Sequence, residues 1–232
     1  MAAGLSRAGA DVAILGRSKD SAEARAHSIE TLGRAAIGLS CDATSKTGLE
    51  QALADVLQRF GRVDILVNAA GVNSGTPFFE ITEAEWHRIL DIDLSSVFLA
   101  CQVFGKAMVD AGRGGSIINI SSASAGPPLS KVFTYGVAKA GVNQITQFLA
   151  RELAPHNIRV NAILPGFFPA EQNRKLLTEE RVASILGHTP MRRFGESCEL
   201  VGAAVYLASH AASSFVTGSI LKVDGGFTAM TI

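Results

Sequence analysis

Short β-rich runs alternate with longer segments of helical period along the whole 232-residue chain, and no other sequence feature constrains the fold as tightly. The runs fall at 11–15, 35–40, 64–67, 116–120, 159–163 and 220–223, and several are apolar on consecutive residues, as in Ile65-Leu66-Val67. Unbroken apolarity of this kind is expected of strands covered on both faces. Helical period occupies 18–33, 46–60, 83–111, 134–154 and 197–209, and Thr82 with Glu85 has the spacing of a capping box at the head of the third helix. Regular strand–helix alternation predicts βαβ units, hence an α/β fold with a doubly wound parallel sheet. There is no internal repeat, low-complexity tract or linker, so a single domain over 1–232 is expected.

Charge and cysteine content remove several classes of function. Lys+Arg and Asp+Glu both number 21, so the chain lacks the bulk charge of a nucleic-acid or anionic-membrane binder. A formally neutral chain is also weakly protected against self-association, which suits a homo-oligomer. No apolar run approaches the roughly 20 residues that span a bilayer, and Met1–Arg7 has no apolar core of the signal-peptide kind. Cys41, Cys101 and Cys198 are scattered and read as buried small hydrophobes in a reducing, cytoplasmic setting. The five histidines show no metal-ligand spacing, so no metal is expected.

Sheets of this type hold their ligands beyond the carboxyl ends of the strands. Small, polar and turn-forming residues follow nearly every predicted strand: Gly16-Arg17-Ser18, Cys41-Asp42-Ala43, Asn68-Ala69-Ala70-Gly71, Ser121-Ser122, Pro165-Gly166 and Asp224-Gly225-Gly226. Tyr135 and Lys139 are spaced i, i+4 and share one face of the fourth helix. A free tyrosine titrates near pH 10, and an ammonium a few ångströms away favours its phenolate. A tyrosine so tuned can exchange a proton with a hydroxyl or carbonyl oxygen, and Ser122 could hydrogen-bond that same oxygen.

The ordered set Asn68-Ala69-Ala70-Gly71, Ile120-Ser121-Ser122, Tyr135 with Lys139, Asn161 through Gly166, and Val223 through Gly226 resembles the short-chain dehydrogenase/reductase family across essentially the whole chain. The resemblance implies a Rossmann-like sheet and hydride transfer between a nicotinamide ring and a carbinol or carbonyl carbon. Tyr135 is then the general acid/base, Lys139 lowers its pKa and holds the nicotinamide ribose, and Ser122 positions the substrate oxygen. Asp42 becomes the adenine contact, Asn68 and Ala69 an adenosine-side wall, and Ala43, Gly71, Pro165, Gly166 and Phe168 further cofactor contacts. Gly16 stands where an acidic residue would hold the adenosine ribose, and Arg17 with Ser18 suits a 2′-phosphate, favouring NADP(H) over NAD(H). Gly166–Arg174, His188–Met191 and Gly225–Met230 are similar to sugar-acid members of the family, of the D-mannonate oxidoreductase and gluconate 5-dehydrogenase kind. On that basis Lys131, Gln172 and Arg174 are candidate substrate residues, Lys131 or Arg174 meeting a carboxylate. A rival within enzymes is a 3-oxoacyl-thioester reductase with Arg192 and Arg193 as a carrier-docking patch. A non-catalytic chain is the alternative of another class.

Two departures from the family pattern stand out. No strand with a Gly-rich turn precedes Asp11, so the expectation is a truncated version of a longer product whose sheet lacks its central strand. That sheet would carry open edges at 11–15 and 64–67 and a slot between them. Asp93, in Asp91-Ile92-Asp93-Leu94, stands where the family has an asparagine behind the lysine. Its charge is expected to counteract the effect of Lys139 on Tyr135. Val97, Leu99, Ile145, Phe148 and Leu149 on the third and fourth helices are expected in the core, and by resemblance the same helices pair subunits in a homotetramer.

Overall fold

The computed structural model describes residues 1–169 and 178–230. In chain order the principal elements are α1 (Ala2–Arg7), β1 (Val12–Gly16), α2 (Lys19–Glu30), β2 (Ala36–Ser40), α3 (Lys46–Phe60) and β3 (Ile65–Asn68). They continue with α4 (Glu83–Leu90), α5 (Ser96–Ala111), β4 (Gly115–Ile120), α6 (Phe133–Leu153), β5 (Ile158–Pro165), α7 (Glu179–His188), α8 (Leu200–Ala208), α9 (His210–Ser213) and β6 (Ile220–Val223).

Local chemistry sets many of these boundaries. The Ser18 and Ser45 hydroxyls accept from Ser21 and Gly48 N–H, capping α2 and α3. Gly61 and Gly112 end α3 and α5 with φ of 75° and 63°, a region open to glycine at little cost. Thr82 caps α4 by accepting the Glu85 N–H. The Glu85 carboxylate, however, accepts from the Thr76 hydroxyl at 2.9 Å, and only the Thr82 half of the expected box is seen. Between α4 and α5 a π-helical turn spans Asp91–Ser95, a local widening that periodicity does not reveal.

All strand pairs are parallel, but the sheet is divided. β1 pairs with β2 from Val12 opposite Ala36, whereas β3, β4, β5 and β6 form a separate four-stranded sheet in that order. Among the described residues β1 and β3 each leave one edge unpaired, as the predicted open edges require. Helices bridge the division. Leu49 and Ala52 of α3 with Val103 and Phe104 of α5 cluster against Leu15, Leu39 and Leu66, drawn from both sheets. On the larger sheet, Met1, Ala204 and Leu207 pack around Ile118 and Ile163, and Gly4 lies so close to Val201 that a Cβ would overlap it.

α4, the π turn and α5 run on as one 29-residue helix with an 18-residue window of mean hydropathy 1.4. By length and composition it could cross a membrane, which corrects the expectation that no such segment exists. Half of that window is buried, and Val97, Cys101 and Met108 contribute to the core beside β4 and β5. Two further expectations are corrected. Phe148 is 62% exposed, as is half of Phe98, because both lie on faces of α6 and α5 turned away from the sheet. Cys198 is exposed, in the 3₁₀ turn before α8, while Cys41 and Cys101 are buried.

Candidate active site

The C-terminal ends of β3, β4 and β5, the first turns of α6 and the start of α7 enclose a cavity of about 720 Å3. Ser122, Tyr135 and Lys139 line it together with Ala69, Gly71, Pro165, Gly166 and Phe168. Eight of the sequence-derived candidates therefore converge on one space. Ser122 follows β4, and its hydroxyl accepts the Ser124 N–H at 3.2 Å, which fixes the turn that carries it. Tyr135 and Lys139 lie one helical turn apart on α6, with Nζ 5.5 Å from the phenol ring centroid.

Behind this pair sits Asp93, fully buried on the π turn. One carboxylate oxygen lies 3.4 Å from Lys139 Nζ, with side-chain exposures of 0% and 4%. The other accepts the Val72 N–H at 2.9 Å, tying the strand-end loop to the helix. Lys139 also donates to the Ile120 carbonyl at 3.0 Å. Gly71 is required here, since a Cβ would fall 2.7 Å from Asp93 Oδ1. Burial raises the Asp93 pKa despite Lys139 and Val72, and burial lowers that of Lys139 against the pull of Asp93.

Tyr135 departs from expectation. Burial raises its pKa and the Asp93 charge raises it further, while the neighbouring Ser122 hydroxyl pulls it down. The expected lowering by Lys139 does not prevail, because burial of the phenol is the larger effect, and the Asp93 charge adds to it in the direction expected.

Other candidates lie elsewhere. The Asn68 side chain is turned into the core, where its amide donates to Asn119 Oδ1 at 2.9 Å and approaches Cys101 Sγ. It ties β3 to β4, so this side-chain amide is engaged within the sheet. Lys131 is exposed with φ of 62° and is not among the cavity-lining residues. Arg17 and Ser18 follow β1, outside this cavity; Arg17 is exposed, and the Ser18 hydroxyl serves as the α2 cap. Asp42 and Ala43 follow β2, and Asp42 accepts both the backbone and hydroxyl hydrogens of Thr44, which hold its carboxyl below the usual range. Gln172 and Arg174 fall outside the described residues. Arg193 pairs with Glu199, so the expected Arg192–Arg193 docking patch is half neutralised. No group of three potential metal ligands occurs among the described residues.

Among the charged cavity residues, sequence reasoning missed two, Arg88 on α4 and Arg181 on α7. A signal for the second existed. Thr178-Glu179-Glu180-Arg181 reads as a capped helix start, and the Thr178 hydroxyl accepts the Arg181 N–H.

Comparison with known proteins agrees with this geometry. A family profile described as "Enoyl-(Acyl carrier protein) reductase" matches residues 1–228. The 5-keto-D-gluconate 5-reductase of Escherichia coli K12 is 35% identical over 97% of this chain and 89% of its own. A Burkholderia cenocepacia gluconate 5-dehydrogenase, solved with NADP and tartrate, is 33% identical with a TM-score of 0.94, covering 99% of this chain and 90% of that one. A protein named as a D-mannonate oxidoreductase of Haemophilus influenza, solved with NAD, is 33% identical with a TM-score of 0.89, over 96% and 87%. The chain belongs to the short-chain dehydrogenase/reductase family. Its fold is the Rossmann-like α/β fold of that family, and it is an oxidoreductase acting on CH–OH groups.

Proposed function

We propose that the chain interconverts a secondary alcohol and a ketone on a sugar acid or related polyol, using a nicotinamide cofactor, with Tyr135 moving the proton. The observation that carries this reading is the convergence of Ser122, Tyr135 and Lys139 in one cavity beside a wall of small residues. Ala69, Ala70 and Gly71 project almost no side chain, and Gly166 packs so tightly that a Cβ would meet Asp224 Cα at 2.7 Å. Such a bare backbone surface fits a flat ring laid against it, so the residues present suit the nicotinamide end of the cofactor. A nicotinamide ring held there supplies or accepts the hydride.

Each side chain then has a distinct task. Tyr135 takes the hydroxyl proton as phenolate in oxidation and returns it as phenol in reduction. Ser122 hydrogen-bonds the reacting oxygen and stabilises charge developing on it. Lys139 holds the ribose and keeps a positive charge beside the phenol, while Asp93 fixes Lys139 through the ion pair. Pro165, Gly166 and Phe168 would help to hold the nicotinamide end of the cofactor. Asp42 and Arg17 serve the adenosine end, where the exposed Arg17 favours NADP(H). The cavity at the strand ends follows the general rule for open α/β sheets.

The test is a panel of aldonates and polyols with NADP+ and NAD+, read at 340 nm, with Tyr135→Phe beside the parent. The variant should lose about 10²- to 10⁴-fold in kcat while retaining cofactor affinity. Undiminished turnover in the variant would refute the assignment. The exposed Phe98 and Phe148 on adjacent helices suit subunit contacts in a homotetramer. The pairing of Arg193 with Glu199 weakens the thioester-reductase reading, since a carrier-docking patch needs free cations.

A further inference from the structure

The charge lining the cavity is one-sided. Arg88, Lys139 and Arg181 all reach it, and no carboxylate is among its described lining residues. Lys139 is already neutralised from behind by Asp93 at 3.4 Å. Neither arginine has an acidic partner within salt-bridge distance among the described residues.

Arg181 is the better placed of the two. Its Nη1 donates to Ser130 Oγ and its Nη2 to the Ser130 carbonyl, both at 3.0 Å. These two bonds fix the guanidinium plane across the loop that leads into α6, close in sequence to Tyr135. A guanidinium has five N–H donors, so three remain for a ligand, still in the planar fork geometry that matches a carboxylate. Ser130 itself is held beside Lys131, whose positive φ turns the chain at that point.

We propose that Arg181, clasped by Ser130, is the specificity-determining residue that binds the substrate's carboxylate, and that Arg88 adds long-range attraction for the anion from α4. This rests on the oxidoreductase reading above and names the residue that separates acidic from neutral substrates. Of the two residues expected in that role, Lys131 or Arg174, it displaces Lys131, while Arg174 lies outside the described residues. Lys131 lies next to the clasp without lining the cavity.

A phosphate of the cofactor is also an anion, so the experiment must distinguish the two sources. Arg181→Gln, Arg181→Lys and Ser130→Ala are compared with the parent in three measurements. Steady-state kinetics use D-gluconate and its uncharged counterpart D-glucitol. Calorimetry measures tartrate binding, a readout independent of turnover, and a second titration measures NADPH binding. Arg181→Gln should raise KM for D-gluconate about 10- to 100-fold with kcat little changed, the pattern of lost uniform binding. D-Glucitol kinetics and NADPH affinity should stay within about twofold. Tartrate affinity should fall by the same factor as gluconate, with Arg181→Lys and Ser130→Ala intermediate because each retains the charge but loses the fixed fork.

Equal losses for the acid and the neutral polyol would overturn the proposal in favour of a structural tether. A selective loss of NADPH affinity would overturn it in favour of a cofactor phosphate contact. If the parent turns over neither compound yet binds tartrate through Arg181, the anion anchor stands and the proposed sugar-acid or polyol substrate fails. Absence of tartrate binding by the parent would overturn the anchor.

Discussion

Replacing Asp93 by asparagine should displace the acid limb of the pH–rate profile for alcohol oxidation to lower pH. Oxidation needs the Tyr135 phenolate, and both burial and the Asp93 charge hold Tyr135 in its neutral form. The side chain of asparagine has nearly the same shape and can still accept the Val72 N–H, so the loop tie at 2.9 Å should survive. What disappears is the negative charge. Asp93 Oδ1 lies 3.4 Å from Lys139 Nζ, and Nζ lies 5.5 Å from the Tyr135 ring centroid, which bounds the carboxylate-to-ring separation at about 9 Å. A unit charge at that distance, with an effective dielectric near 20, contributes about 2 kcal/mol. On the acid limb this corresponds to a 20- to 30-fold rise in kcat/KM, at roughly 1.4 kcal/mol per decade. The assay is kcat/KM for oxidation from pH 5.5 to 10 in a constant-ionic-strength buffer, for parent and Asp93→Asn. An unchanged profile, or a limb moved to higher pH, would refute the reasoning. The latter result would mean that the main effect of Asp93 is to keep Lys139 protonated, which its opposition to the burial of that lysine makes the physical competitor.

Gly71→Ala places a methyl 2.7 Å from Asp93 Oδ1 and should cost about 1–3 kcal/mol by overpacking, seen as a fall in Tm of a few degrees together with lost turnover. Gly105→Ala on α5 is the contrasting case, since its Cβ would meet Ile117 and Leu153 at an ordinary 3.7 Å; Tm should hold or rise, as alanine favours the helix by up to about 1 kcal/mol. Arg17→Ala should weaken NADPH binding at least tenfold in calorimetry and leave NADH unchanged, and equal losses for the two would exclude recognition of a 2′-phosphate.

The larger part of the fold was legible because it rests on local signals. The strand over 220–223 and the helix over 46–60 coincide with β6 and α3, and the other predicted strands differ from the observed ones by one or two residues. Unbroken apolar runs and serine caps report on nearby residues, and those neighbours remain neighbours in the fold. The division of the sheet was expected from the resemblance instead, because the family's first strand and Gly-rich turn are missing before Asp11, and β1 and β3 are indeed unpaired with each other among the described residues. Features decided at longer range were not legible. The π turn inserts within an uninterrupted helical pattern, and although the family pattern placed Asp93 behind Lys139, the complete burial of that carboxylate exists only once the π turn and α6 have packed together. Asn68 was expected at the adenosine side by resemblance, but the partner of its side chain, Asn119, is 51 residues away and could not be read locally.

The active-site residues show the same division between local and distant causes. Tyr135 and Lys139 were legible from a single helical turn, and the opposing charge of Asp93 was expected from the family pattern, but the upward shift of Tyr135 was not, because its largest cause is burial, which exists only in the packed fold. Arg181 presents the reverse case. A cap signal at Thr178 marks its helix, which is missing from the predicted elements, whereas its proposed role depends on Ser130, a distant residue that holds the guanidinium beside the loop leading into α6. A lysine beside that loop and an arginine reaching it from another element look equivalent in sequence. The structure separates them, because only the guanidinium is held at a fixed angle with donors left over, and a fixed fork loses less freedom on binding a carboxylate than a flexible ammonium does.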